Sequence, residues 1–190
     1  MIHLYTGDGK GKTTAALGLV LRAAGRGLNV AFAQFMKGND TGELYGLAKL
    51  SNVEICRSQK NFGFFSAMSE EDKEELTGIH NQILDRLLEL AQSGKVQLIV
   101  LDEITYPVNW NLVDADRLRK LLEQGCGTEI SNCGKSADGT GSNCHNGIEI
   151  VMTGRNPAPF LTEAAHYITE MKCIRHPYQQ GIRARRGIEF

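Results

Sequence analysis

The sequence predicts an α/β protein whose mostly parallel sheet carries helices on both faces. Short apolar runs alternate along the chain with segments of helical periodicity. A glycine-rich stretch follows the first apolar run directly, and a later run ends in two consecutive acids. With 190 residues, 42% hydrophobic and 23% charged, the chain is long enough to bury one sizeable core and short for two. A single domain over residues 1–190 is therefore expected.

Each element has its own justification. Ile2 to Tyr5 is a first strand, and behind it Ala16, Leu17, Val20, Leu21 and Ala24 fall on one helical face before Gly25 and Gly27 stop the helix. Val30 to Phe35 is apolar enough for a strand covered on both faces, and Val53 to Cys56 makes a third. Ser69 with Asp72 three residues on marks the start of a helix whose Ile79, Ile83, Leu87 and Leu90 repeat down one side until Gly94. Val96 to Leu101 is a central strand. A helix near Asp114 to Glu123, a strand at Ile148 to Met152, a helix around Pro159 to Ala165 and a strand near Tyr167 to Met171 complete the alternation.

Between the first strand and helix lies Thr6-Gly7-Asp8-Gly9-Lys10-Gly11-Lys12-Thr13-Thr14. Glycines let successive backbone N–H groups turn around an oligophosphate, Lys12 supplies a charge, and the Thr13 hydroxyl stands at a helix N-terminus where Mg²⁺ is held. Counting back from Gly11 and Lys12 puts Thr6, and not Gly7, at the first glycine of G-x-x-x-x-G-K-[ST]. The loop is one residue short, so the nucleotide need not lie as it does in ordinary kinases. The run ending in Asp102 and Glu103 has a Walker B pattern, in which a buried strand delivers carboxylates to the carboxyl edge of the sheet. Asp102 and Glu103 are both candidate Mg²⁺ ligands beside Thr13. These features place the fold among P-loop NTPase-like, RecA-like domains.

Charge and composition narrow the partners. The 21 Lys and Arg against 22 Asp and Glu give a net charge of −1, and the local group Arg183, Arg185, Arg186 does not change a field that offers nothing to nucleic acid. No apolar run approaches a membrane span, and the chain opens without a basic n-region or cleavage site. A cytoplasmic protein is expected. The five scattered cysteines, Cys56, Cys126, Cys133, Cys144 and Cys173, form no disulfide framework.

Several stretches together resemble one family: TGDGKGKTTAA, QFMKG (Gln34 to Gly38), VLDEITY (Val100 to Tyr106), MTGRNP (Met152 to Pro157), ITEMKCIRHP (Ile168 to Pro177) and the ending GIRARRGIEF. In this order they resemble the ATP:corrinoid adenosyltransferases, the P-loop class of cob(I)alamin adenosyltransferases, whose phosphate loop is likewise short. The resemblance implies transfer of the 5′-deoxyadenosyl group of ATP to the Co(I) centre of a corrinoid, with release of triphosphate, in adenosylcobalamin synthesis or salvage. It implies ATP, Mg²⁺ and corrinoid as ligands, a flavoprotein as reductant and a homodimer. Thr6, Gly7, Asp8, Gly9, Lys10, Gly11, Lys12, Thr13, Thr14 and Arg155 would then bind ATP. Lys12, Thr13 and Glu103 would carry catalysis. In Asn61-Phe62-Gly63-Phe64-Phe65, the aromatic rings of Phe62 and Phe64 would close over the corrin face; some relatives carry a tryptophan at the position matched to Phe64.

Two features depart from that pattern. The chain starts almost on its first strand, where some relatives have an N-terminal extension. Residues 125–147, rich in Gly, Ser and Asn and holding Cys126, Cys133, Cys144 and His145, read as an inserted loop; the C-x₆-C-x₁₀-C-H spacing matches no common zinc site. Alternative functions are a small-molecule or nucleoside kinase, which would yield ADP, and a carrier that holds ATP and corrinoid without turnover. A RecA-like nucleic-acid motor would require a basic track that the chain lacks.

Overall fold

In a computed structural model that describes residues 1–125 and 147–189, six parallel strands form one sheet in the order β3-β2-β4-β5-β1-β6. They are β1 (Ile2–Thr6), β2 (Val30–Gln34), β3 (Val53–Arg57), β4 (Leu98–Asp102), β5 (Glu149–Thr153) and β6 (Tyr167–Glu170). The helices are α1 (Lys12–Gly25), α2 (Gly42–Leu47), α3 (Glu70–Gln92), α4 (Thr105–Asn109), α5 (Ala115–Gly125) and α6 (Pro159–Ala164). Short 3₁₀ turns lie at Phe65–Ala67 and Pro177–Gln180.

Alternation along the strands feeds two cores. Val30, Phe32, Leu98, Val100 and Val151 point to one face and pack with Ala16, Val20, Ala23 and Ala24 of α1. Their neighbours Ala31, Ala33, Ile99, Leu101, Ile150 and Met152 point to the other face and meet Leu84 and Leu87 of α3, Leu118 and Leu121 of α5, and Leu161 of α6. Both faces being covered is why β2 and β4 read as continuous apolar runs.

The face of α1 differs from expectation at one residue. Leu21 is 64% exposed, while Ala23 and Ala24 are buried. The buried stripe runs 16, 20, 23, 24, and Leu21, one step of about 100° past Val20, turns into solvent. In α3 the Ser69 hydroxyl accepts from the Asp72 amide, as the capping pattern requires. The stripe there is wider than Ile79, Ile83, Leu87 and Leu90, since Leu76, His80, Leu84 and Ala91 are also buried. The helices α2 and α4 were not expected from periodicity; each is a single short turn or two, too brief to show one.

Helix α5 ends at Gly125 and β5 begins at Glu149. Most of the Gly/Ser/Cys-rich stretch expected at 125–147, with Cys126, Cys133, Cys144 and His145, lies outside the described residues. Among those described, no helix is long and apolar enough to cross a membrane.

Candidate functional site

Parallel strands in register bring several loops to one edge. Gln34 pairs with Asp102 across β2 and β4, and Tyr5 with Thr153 across β1 and β5, so the four strand ends lie side by side. The phosphate loop enters from β1. Gly11, in a left-handed conformation (φ 113°), caps α1 without a side-chain partner, so the helix N-terminus is free to meet an anion.

The glycines of the loop have a packing reason as well. A Cβ on Gly7 would lie 2.4 Å from the Met171 carbonyl oxygen, and one on Gly9 2.7 Å from it. The chain after β6 runs directly against the loop: the Gly9 amide donates to Met171 O (2.7 Å), the Met171 amide to Thr6 O (2.8 Å) and the Cys173 amide to Asp8 Oδ1 (3.1 Å). Thr6, Asp8 and Gly9 are thus partly committed to holding the loop's shape. Arg155 Nη2 donates to Asp8 O (3.2 Å) from the turn after β5.

Lys12 is only 7% exposed and folds back, with Nζ donating to Gly7 O (2.8 Å) and Gly9 O (2.7 Å). Burial lowers its pKa from the usual lysine value, and the nearby Arg155 lowers it further against Glu103, Asp8 and Asp102. Lys10 points outward instead and pairs with Glu189 (3.0 Å), which Arg185 also holds. Thr14 follows Thr13 in the first turn of α1.

The two acids take different positions. Asp102 is fully buried and both its oxygens are engaged: Oδ1 accepts from Thr13 Oγ1 (2.8 Å) and Thr153 Oγ1 (2.7 Å), and Oδ2 from Lys37 Nζ (2.7 Å). Glu103 sits in a left-handed backbone conformation (φ 63°), its amide donating to Thr153 Oγ1, and its Oε2 is buried with no hydrogen-bond partner. Burial raises the Glu103 pKa, and Asp102 raises it further against the pull of Lys37, Lys12 and Arg155. For Lys37, burial acts to lower the pKa, but Asp102, Glu103 and Glu43 together outweigh it and raise it.

Buried side-chain atoms without a partner among the described residues are Gln34 Oε1, Thr41 Oγ1, Glu103 Oε2 and Thr105 Oγ1. Gln34, Glu103 and Thr105 lie at or just beyond the carboxyl end of β2 or β4, and Thr41 precedes α2. Buried polar atoms are costly when unpaired, and of these four Glu103 Oε2 belongs to the residue with Lys12, Lys37 and Arg155 as charged neighbours. For Mg²⁺ the donors fit: Thr13 Oγ1 spends its proton on Asp102 and keeps its lone pairs, and Glu103 offers a free oxygen, the hard donors that ion takes.

Across the edge, the chain after β3 carries the aromatic stretch. Phe64 is 85% exposed, whereas Phe62 packs against Met68, Leu76 and Leu112 with Lys60 Nζ 4.4 Å from its ring centroid. Phe65 stacks on Trp110 (4.4 Å, 9°). Lys37, Thr153 and Met171 lie in stretches that carry the family resemblance, yet no local pattern marks them. An isolated lysine or threonine carries no periodicity, and only the strand register brings them to Asp102. His80 is structural: it is buried and its Nδ1 is 2.8 Å from Leu112 O. His176 caps the 3₁₀ turn through the Tyr178 amide.

A parallel sheet of this order, a phosphate loop opening α1, and a threonine-bonded aspartate at the end of the central strand define a RecA-like P-loop nucleotide-binding protein. Comparison with known sequences takes this further. The family model for "ATP:corrinoid adenosyltransferase BtuR/CobO/CobP" matches residues 1–140 and 141–190, and the chain belongs to that family. It is similar to the corrinoid adenosyltransferase of Sinorhizobium sp (28% identical over 191 residues, 100% of this chain and 80% of the relative). It is also similar to the corrinoid adenosyltransferases of Pseudomonas aeruginosa (27% over 191 residues, 100% and 83%) and Salmonella typhimurium (26% over 194 residues, 100% and 85%).

Proposed function

We propose that this chain transfers the 5′-deoxyadenosyl group of ATP to Co(I) of a corrinoid and releases intact triphosphate. The observation that carries the reading is the set of charges at the carboxyl edge: Lys12, Lys37 and Arg155 surround Glu103 electrostatically, and Lys12 and Arg155 also bond the phosphate loop at Gly7 O, Gly9 O and Asp8 O. Co(I) is itself a strong nucleophile, so the chain has no bond-forming group to supply. Its task is to hold C5′ in line and to neutralise charge gathering on the leaving triphosphate.

The residues divide that work. The uncapped α1 N-terminus and the loop amides other than that of Gly9 face the phosphates. Lys12 leaves the Gly7 and Gly9 carbonyls to donate to a phosphate oxygen, and Arg155 donates from the opposite side. Lys10 joins them by exchanging Glu189 for phosphate. Thr13 and Glu103 would hold Mg²⁺, which would neutralise phosphate oxygens when bound. Asp102, with both oxygens occupied, orients the Thr13 hydroxyl. Phe62 and Phe64 cover the corrin face, with Phe64 free to move and Phe62 anchored.

Finer assignments follow the same reading. The corrinoid is cob(I)yrinic acid a,c-diamide or cob(I)alamin, the electron comes from a flavoprotein, and the protein works in the cytoplasm as a single-domain chain. A homodimer is supported by the edge strand β6, where Tyr167 (51%) and Ile168 (52%) are exposed apolar surface; sedimentation would test it. The decisive experiment is the fate of ATP with purified protein, Mg²⁺ and chemically reduced Co(I) corrinoid under anaerobic conditions. Tripolyphosphate with a light-sensitive cobalt–carbon product is expected. ADP would make the chain a kinase or ATPase, and binding without products would make it a carrier.

A further inference from the structure

The turn after β2 touches both halves of the site. Met36 takes a left-handed backbone conformation (φ 59°), and its amide donates to His80 Nε2 (3.4 Å). That turn sends the Lys37 side chain to Asp102 Oδ2 (2.7 Å), with Glu43 Oε1 4.0 Å from Nζ. The backbone of the same turn is held from the other side by Arg57, whose Nη2 donates to Lys37 O (3.3 Å) and Asn39 O (2.6 Å).

Gly38 then lies flat against the chain leading into the aromatic stretch. A Cβ there would sit 2.2 Å from Lys60 O and 2.6 Å from Asn61 Cα. Phe62 is the next residue, and it lines a small cavity with Met36, Lys37 and Gly38. Phe62, Phe65, Trp110 and Met36 all pack on one cluster, formed by Met68, Leu76 and Leu112.

We propose that Lys37 and Gly38 form a coupling element: Lys37 is a positioning residue that reads the state of Asp102, and Gly38 passes any shift of the turn to the segment bearing Phe62 and Phe64. The inference rests on the reading that the loop edge takes Mg-ATP and the aromatic segment takes corrinoid. When the triphosphate and its cation arrive at Thr13 and Glu103, the charges around Asp102 change, and the Lys37 contact must readjust. Because Gly38 is in backbone contact with Lys60 and Asn61, that readjustment moves the aromatic segment and is not absorbed by a flexible side chain. Linkage makes the effect reciprocal, so corrinoid must tighten ATP by the factor by which ATP tightens corrinoid.

Trp110, the only tryptophan, reports on this without any corrinoid, because it stacks on Phe65. Its emission is followed while full-length protein is titrated with Mg-ATP, and cobalamin affinity is then measured with and without saturating Mg-ATP. The wild type is expected to show an emission change and a cobalamin affinity about fivefold or more tighter with ATP. K37M and G38A are expected to lose the emission change and to bring that ratio to about one. K37R restores both. G46A, a control in α2 where an added Cβ meets nothing within 4 Å, keeps both. K37M adds no bulk at the turn and carries the test if G38A does not fold. Full coupling in K37M, or failure of K37R to restore it, overturns the proposal. A protein that transfers no adenosyl group yet keeps a Lys37-dependent Trp110 response overturns the transferase reading and supports the coupling.

Discussion

At the phosphate loop Asp102 is fully buried, Lys12 is nearly so, and the glycines lie hard against the Met171 carbonyl. Across the edge Phe64 stands almost wholly in solvent and β3, which leads into it, is only half-buried throughout. The side that carries the phosphate loop is held in advance: Asp102 bonds Thr13, Thr153 and Lys37, and Lys12 bonds the loop carbonyls. The side proposed to meet corrinoid offers the exposed ring of Phe64. The difference fits the proposed division of labour: on the phosphate side Lys12 and Lys10 only exchange partners on a scaffold already in place, while a bulky planar substrate must enter before anything can close on it.

Lys12→Ala strikes the assembled half hardest. Loss of one preorganised donor to the developing triphosphate charge is expected to lower kcat by about 10²–10³-fold, with weaker ATP binding by about 1.5–3 kcal/mol. Single-turnover rates and ATP titrations check this, and wild-type rates would remove Lys12 from the site. Glu103→Gln sharpens the same point by separating function from stability. Burial raises the carboxyl's folded pKa above its unfolded value, so the ionised form destabilises the ATP-free fold at neutral pH, and that cost disappears as pH falls through the carboxylate range. The variant should lose Mg²⁺-dependent transfer yet unfold at higher denaturant at pH 7, with the advantage over wild type shrinking under acid. An equal or lower stability at pH 7 would mean that Glu103 is not the strained member of the pair.

Next in size is the acid response of His80, which holds the turn between the halves. Burial lowers its pKa from 6.5 to about 4 against the Leu112 hydrogen bond. The neutral ring's contribution is fully present above pH 6.5 and is lost as pH falls from there to about 4, by about 3 kcal/mol in all. Denaturant unfolding of wild type and His80→Gln across that window should converge as the pH drops. Parallel curves would show that His80 does not titrate with unfolding.

Much of this was legible in the residues. The strands and the long helices follow from runs such as Val96 to Leu101 and from the stripe of α3, because burial on two faces or one imposes those patterns directly. The phosphate loop and the acids ending β4 were legible for the same reason: local backbone geometry demands those residue types at those spacings. Lys37 and Thr153 were not, since their partner Asp102 is distant in sequence and joined to them only by strand register. Nor did Gly7 and Gly9 reveal that they accommodate the Met171 backbone. The different settings of Asp102 and Glu103 are invisible in a dipeptide: Asp102 ends the strand with both oxygens bonded, and Glu103 leaves it with a positive φ and a buried, unpartnered Oε2.

The smallest effect on the fold is expected on the exposed side, and it carries information because it is small. Phe64 is 85% exposed and contributes little buried area, so Phe64→Ala should change unfolding free energy by less than about 0.5 kcal/mol and leave ATP binding unaltered. If the ring closes over the corrin face, the same variant should impair use of corrinoid supplied as Co(II) about tenfold, the cost of one aromatic contact worth about 1.4 kcal/mol, and much less when corrinoid is supplied already as Co(I). Phe62→Ala gives the contrast, because Phe62 is packed on Met68 and Leu76 and its loss should lower stability as well. A Phe64→Ala protein that handles Co(II) corrinoid like wild type would move the corrin face away from this ring and leave Phe62 as the contact, so that the packed side of the segment, and not the open one, would meet the substrate.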